Sequence, residues 1–105
     1  MYILVKREVP DQLVPVITAH ASLACFRKFE QTTAMQQWIN GPFKKVVCAV
    51  NDSEFQNARK EPGHLVLTES ALDGREVCIA FSPREEYPKM FRFLKMWTPQ
   101  PEQNG

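Results

Sequence analysis

The stretch Lys45–Glu54, KVVCAVNDSE, decides how the rest of the chain reads. Its first six residues are an apolar run without alternation, which suits a strand buried on both faces of a helix-covered sheet. Asn51 follows, with Glu54 three residues on, and that pair is the signature of a capping box at a helix start. A buried strand that passes directly into a capped helix points to an α/β fold.

The same reading extends in both directions. YILV at Tyr2–Val5, HLVLT at His64–Thr68 and VCIAF at Val77–Phe81 are further apolar runs of strand length. Asp11 is expected to cap a helix reaching about Phe29, with Pro15 tolerated in its first turn. TAMQQWI at Thr33–Ile39 predicts a shorter helix, stopped by Asn40-Gly41-Pro42. Pro62-Gly63 ends the helix that Asn51 opens. SPRE at Ser82–Glu85 predicts a second capping box, and Tyr87, Met90, Phe91, Leu94 and Trp97 would share one helical face. Asp73-Gly74 marks a turn between the last two strands, which makes them antiparallel; helix-joined strands are expected to be parallel. The expected order is β-α-α-β-α-β-β-α. The expected fold is α/β, a small mixed four-stranded sheet with helices on both faces, formed by one domain over residues 1–97 with a flexible tail over 98–105.

Composition narrows the function classes. A chain of 105 residues holds one small domain. Hydrophobic residues are 44% and charged residues 24%, as in soluble globular proteins. The net charge of +1 gives no overall signal for nucleic acid. No apolar run approaches the ~20 residues that span a bilayer, so no membrane partner is expected. The charges of MYILVKREVP follow its apolar run, the reverse of a secretory signal. Cys25, Cys48 and Cys78 are odd in number and widely spaced among apolar residues, which reads as reduced core thiols in a cytoplasmic protein.

Motifs with self-sufficient chemistry are missing from the sequence. There is no GxxxxGK[ST], GxGxxG, HExxH or GxSxG. His20 and His64 have no cysteine or carboxylate at metal-ligand spacing, so neither a metal nor another cofactor is expected.

The order and spacing of several short stretches carry more. YILVKREVP precedes a helix with HASLACF, and KKVVCAVNDSE comes next. LTES, CIAFSP and a basic-aromatic C-terminal segment follow. Together these resemble the peptidyl-tRNA hydrolase type 2 family over roughly residues 2–97, and CIAFSP is closest to its divergent domain-containing branch. The resemblance implies a mixed four-stranded sheet flanked by helices, and hydrolysis of the ester between peptide and tRNA. It implies tRNA or peptidyl-tRNA as the partner. His20 falls where the family keeps a histidine, and Glu69 where it keeps an acid. The family's lysine, glutamine and threonine positions hold Leu13, Ile17 and Val77 here, and its Gly/Thr-rich loop is cut to SALDGRE.

These departures leave three readings open. One is an ester hydrolase, with His20 and Glu69 catalytic and Lys6, Arg7, Asp73 and Arg75 binding substrate. Ester hydrolysis needs a proton acceptor for water and donors for the oxyanion, and losing one donor costs about 10²–10³ in rate. The second reading is a non-catalytic descendant that binds tRNA or a protein partner. The third is an interaction module, a homodimer formed through the aromatic C-terminal helix. Residue by residue, the plainer expectations are a satisfied, partly buried His20 and solvated charges at the strand ends. Lys44, Lys45, Lys89, Arg92 and Lys95 form either a basic face for tRNA or a face turned to water.

Overall fold

A computed structural model describes residues 1–100. Strand β1 (Tyr2–Lys6) leads through a short 3-10 turn into α1 (Val14–Phe29) and then α2 (Thr33–Ile39). After these come β2 (Val46–Val50), α3 (Asp52–Arg59), β3 (His64–Glu69) and β4 (Arg75–Phe81). A 3-10 turn at Lys89–Phe93 precedes a two-residue strand β5 (Lys95–Met96). The sheet has the order β3-β4-β1-β2-β5. Only β1 and β2 are parallel, as their helical connection requires, and the other pairs are antiparallel. The α/β class, the mixed sheet and the helices on both faces are as the sequence led us to expect.

The two faces follow from the two-residue period of a strand. On β1, Ile3 and Val5 face α1 and α2, whereas Leu4 faces α3. On β4, Cys78 and Ala80 join the first face, while Ile79 and Phe81 join the second. Apolar residues on both sides of a strand explain why these runs show no alternation. Asn51 and Glu54 do form the reciprocal capping box, with Glu54 N donating to Asn51 Oδ1 at 2.8 Å and Asn51 N donating to Glu54 Oε1 at 2.9 Å. The β3–β4 link also matches its signal. Asp73 and Gly74 both have positive φ, 58° and 71°, and Gly74 N closes the turn on Glu69 O at 3.0 Å.

The C-terminal third differs from expectation. No helix forms over Tyr87–Trp97; five residues wind as a 3-10 turn, and Leu94 is already extended. The aromatic spacing has another cause. Tyr87 and Phe91 pack on the α3 face around Tyr2, with ring centroids 4.6 and 5.1 Å from it. Trp97 crosses to the α1 face. Leaving the helix lets β5 pair with β2, and Trp97 N donates to Val47 O at 2.8 Å. The otherwise unpaired edge of β2 is thereby satisfied, and the sheet has five strands rather than four.

Ser82 caps nothing. Its N–H extends the sheet pairing to Gly63 O, and its carbonyl accepts from Tyr87 Oη at 2.7 Å. Asp11 is likewise not a helix cap; its carboxylate accepts from Gln100 N at 2.6 Å, which ties the start of the expected tail to the body. The remainder of that tail, 101–105, lies outside the described residues. Among the described residues no helix is long and apolar enough to cross a membrane.

Candidate functional site: a charged strand end and an apolar groove

The residues singled out in the sequence sit mainly where β1 and β3 end. Lys6 closes β1 and lies over the Phe55 ring, 4.5 Å from its centroid and 3.7 Å from Asp52 Oδ1. Arg7 reaches Glu54 Oε1 at 3.8 Å. The start of α3 thus supplies the partner of each cation. Nearby, Arg59 and Glu76 form a two-pronged pair at 2.5 and 2.6 Å, which joins α3 to β4. That hydrogen-bonded fork holds the Glu76 carboxyl below its ordinary range.

Glu69 turns its carboxylate on its own loop, where Oε1 accepts from Ala71 N at 3.1 Å. Arg75, opposite Glu69 in the ladder, donates from Nε to Leu72 O at 3.2 Å. Asp73 is exposed in the left-handed turn position. Lys6, Glu8 and Arg75 line one small cavity of about 170 Å³. Arg7, Glu69 and Asp73 do not line it.

His20 is exposed in the middle of α1, not partly buried. Among the described residues its ring makes no hydrogen bond to protein, and it does not line the small cavity. The positions where the resemblance expects polar groups are absorbed by the core of the α1 face. Ile17 and Val77 are buried there, and Leu13 packs against them. Val77 also sits where the β3–β4 register shifts, so the irregular position carries a core side chain rather than a hydroxyl. The strand end as a whole is not basic. Lys6, Arg7, Arg59 and Arg75 face Glu8, Asp52, Glu54, Glu69, Asp73 and Glu76, four cations against six carboxylates. An acidic excess of two repels phosphate rather than holding it. No group of three or more potential metal ligands exists among the described residues.

A larger concavity lies elsewhere. Five strands about 4.8 Å apart give a face wide enough for two helices about 10 Å across. On the α1 face the second place is filled only by α2, seven residues long. A groove of about 570 Å³ remains over Ile3 and Val47. One wall is α1, from Pro15 to Phe26, and the other is Trp38, Ile39 and Phe43. Leu23 and Phe43 stand 61% and 50% exposed at its mouth. Phe43 has φ 54°, a left-handed conformation that is rare for a bulky residue. Its ring lies 4.9 Å from that of Trp38, and Lys45 Nζ lies 3.3 Å from its centroid. Trp38 is itself fixed by an Nε1–H bond to Lys44 O at 2.8 Å.

Sequence reading missed this groove. The signal was available in the shortness of α2 and in the apolar outer face of α1, where Pro15, Ala19, Leu23 and Phe26 fall together. No protein-family model, curated protein or solved structure matches this chain.

Proposed function

We propose that the chain is a peptidyl-tRNA hydrolase type 2-like domain that works as a binding module rather than as an ester hydrolase. The groove over Ile3 and Val47 carries this reading. Its volume is in the range of ligand sites, about 300–1,000 Å³, and its walls are largely apolar. The β-α-α-β-α-β-β order as far as β4, the mixed sheet and the helices on both faces agree with what the resemblance implies and support the family part of the proposal, whereas the fifth strand and the missing helix over Tyr87–Trp97 depart from it. The fate of the polar positions supports the binding part. Leu13, Ile17 and Val77 belong to the core, Glu69 is engaged by its own loop, and Lys6 and Arg7 are paired. With both β1-end cations paired, the site offers few free donors for an oxyanion.

The hydrolase reading keeps one observation in its favour: Lys6, Glu8 and Arg75 line a common cavity. Release of peptide from a defined peptidyl-tRNA, at protein in excess over substrate, tests both. The binding module releases none above background. Release that falls in His20→Ala or Glu69→Gln restores the hydrolase. Salt-dependent tRNA affinity, measured beside it, reports any contact with the phosphate backbone; the acidic strand end predicts weak binding.

A further inference from the structure

The groove is not uniformly apolar, and its exception is informative. Among its lining residues Lys45 is the one charged side chain, and no acid lines it. Lys45 Nζ donates to the Phe43 carbonyl at 3.3 Å and lies over the Phe43 and Trp38 rings, 3.3 and 5.1 Å from their centroids. Among the described residues no carboxylate lies within ion-pair distance of it. Its ammonium is therefore held against the aromatic wall with its charge unmatched. Lys6 and Arg7, at the far ends of the strands, are both matched. The groove follows α1 from Pro15 to Phe26, about 16 Å at 1.5 Å per residue. Thr18 Oγ1 is taken up by Pro15 O, so that hydroxyl leaves the α1 wall effectively apolar there.

We infer that the groove binds a small apolar monocarboxylate, an acyl or aryl chain laid along α1 with its carboxylate on Lys45. The inference rests on the binding-module reading and names its ligand class. Charge selects this occupant over a second copy of the chain. A two-fold pairing of groove on groove brings like charges, Lys45 and Lys45, together without an acid from either wall.

Dodecanoate and dodecanol are the probes, titrated against the full chain by calorimetry, with tryptophan emission as a second readout. The acid binds and the alcohol binds more weakly. Lys45→Ala weakens the acid about tenfold, the factor for losing one exposed charge-assisted hydrogen bond, and leaves the alcohol unchanged. Leu23→Glu, at a position exposed enough to keep the fold, weakens both. Equal binding of acid and alcohol in the wild type, unaltered by Lys45→Ala, overturns the ligand class while the groove stands. Absence of binding by either probe overturns the ligand and the binding-module reading together. A wild-type dimer that Leu23→Glu splits also overturns it, because the groove is then filled by a second copy.

Discussion

The two faces of this sheet are built from the same strands and end differently. On the α3 face, one helix of eight residues and an aromatic turn suffice to close the layer. Phe55, Ile79 and Phe81 are fully buried there, and Phe91 packs edge-on between Tyr2 and Phe81. On the α1 face a helix twice as long, 16 residues, leaves β2 partly bare. Neither helix length nor helix number sets coverage; what fills the rest of the sheet's width does, and on the α3 face that is the aromatic turn. The face with the larger helix is the one with the vacancy, because α2 stops after two turns at Asn40-Gly41.

The largest test of that contrast is a pair of truncations. Phe55→Ala opens a cavity in the closed layer and is expected to cost about 3–5 kcal/mol. Leu23→Ala, on the groove wall, is expected to change stability by no more than about 0.5 kcal/mol. Urea unfolding of both variants beside the wild type checks this. Similar losses would mean that the groove wall is core, and the contrast would disappear.

A second test asks whether the open face is also wet at depth. Burial pushes the Cys48 thiol, on the α3 face, up to about 11. On the α1 face it pushes Cys25 to about 11 and Cys78 to about 12. The ordinary value is 9.0. A thiol whose pKa is higher folded than unfolded favours folding below the unfolded value. It loses that advantage as pH rises towards the folded value. Stability is therefore expected to fall from about pH 9 upwards, by up to about 1.4 kcal/mol per pH unit for each thiol. Urea midpoints at pH 8, 9 and 10 measure the slope. Cys25→Ala and Cys48→Ala should each flatten it by a similar amount. A change confined to Cys48→Ala would show that water reaches beneath α1 and that the two faces differ throughout, not only over β2.

Much of this was legible in the sequence, for reasons that differ by element. The capping box at Asn51 and the Asp73-Gly74 turn are local devices, complete within a few residues, so they read correctly. The four main strands read correctly because apolar side chains on both faces of a strand leave an unbroken apolar run. The C-terminal segment read wrongly because its aromatic spacing serves two faces. Tyr87 and Phe91 go to one, Trp97 to the other, and only the free edge of β2 determines where the turn must unwind. Asp11 has the right residue type for a cap, but its partner, Gln100, is 89 residues away. The site was less legible still. Pairings such as Arg59 with Glu76 and Lys6 with Asp52 form across elements, and nothing in the local pattern announces them. The groove is a missing helix, and a sequence shows a missing element only once the width of the sheet is known.

The smallest expected effect is the most discriminating. Phe43 holds a left-handed backbone that costs a side-chain-bearing residue about 1–2 kcal/mol, and glycine would adopt it freely. Phe43→Gly recovers that cost. It also surrenders the ring contact with Trp38, about 0.5–1.5 kcal/mol, and gives the unfolded chain more freedom, worth up to about 1 kcal/mol. The terms nearly cancel, so the urea midpoint should barely move. The groove loses one wall all the same, and dodecanoate binding should fall together with the Lys45–ring contact. A variant with native stability and a disabled groove would show that Phe43 is held against its own preference for the sake of the cleft. A loss of 2 kcal/mol or more would instead make the ring a structural prop for Trp38 and α2. The strained turn would then belong to the fold, and the open face would owe nothing to it.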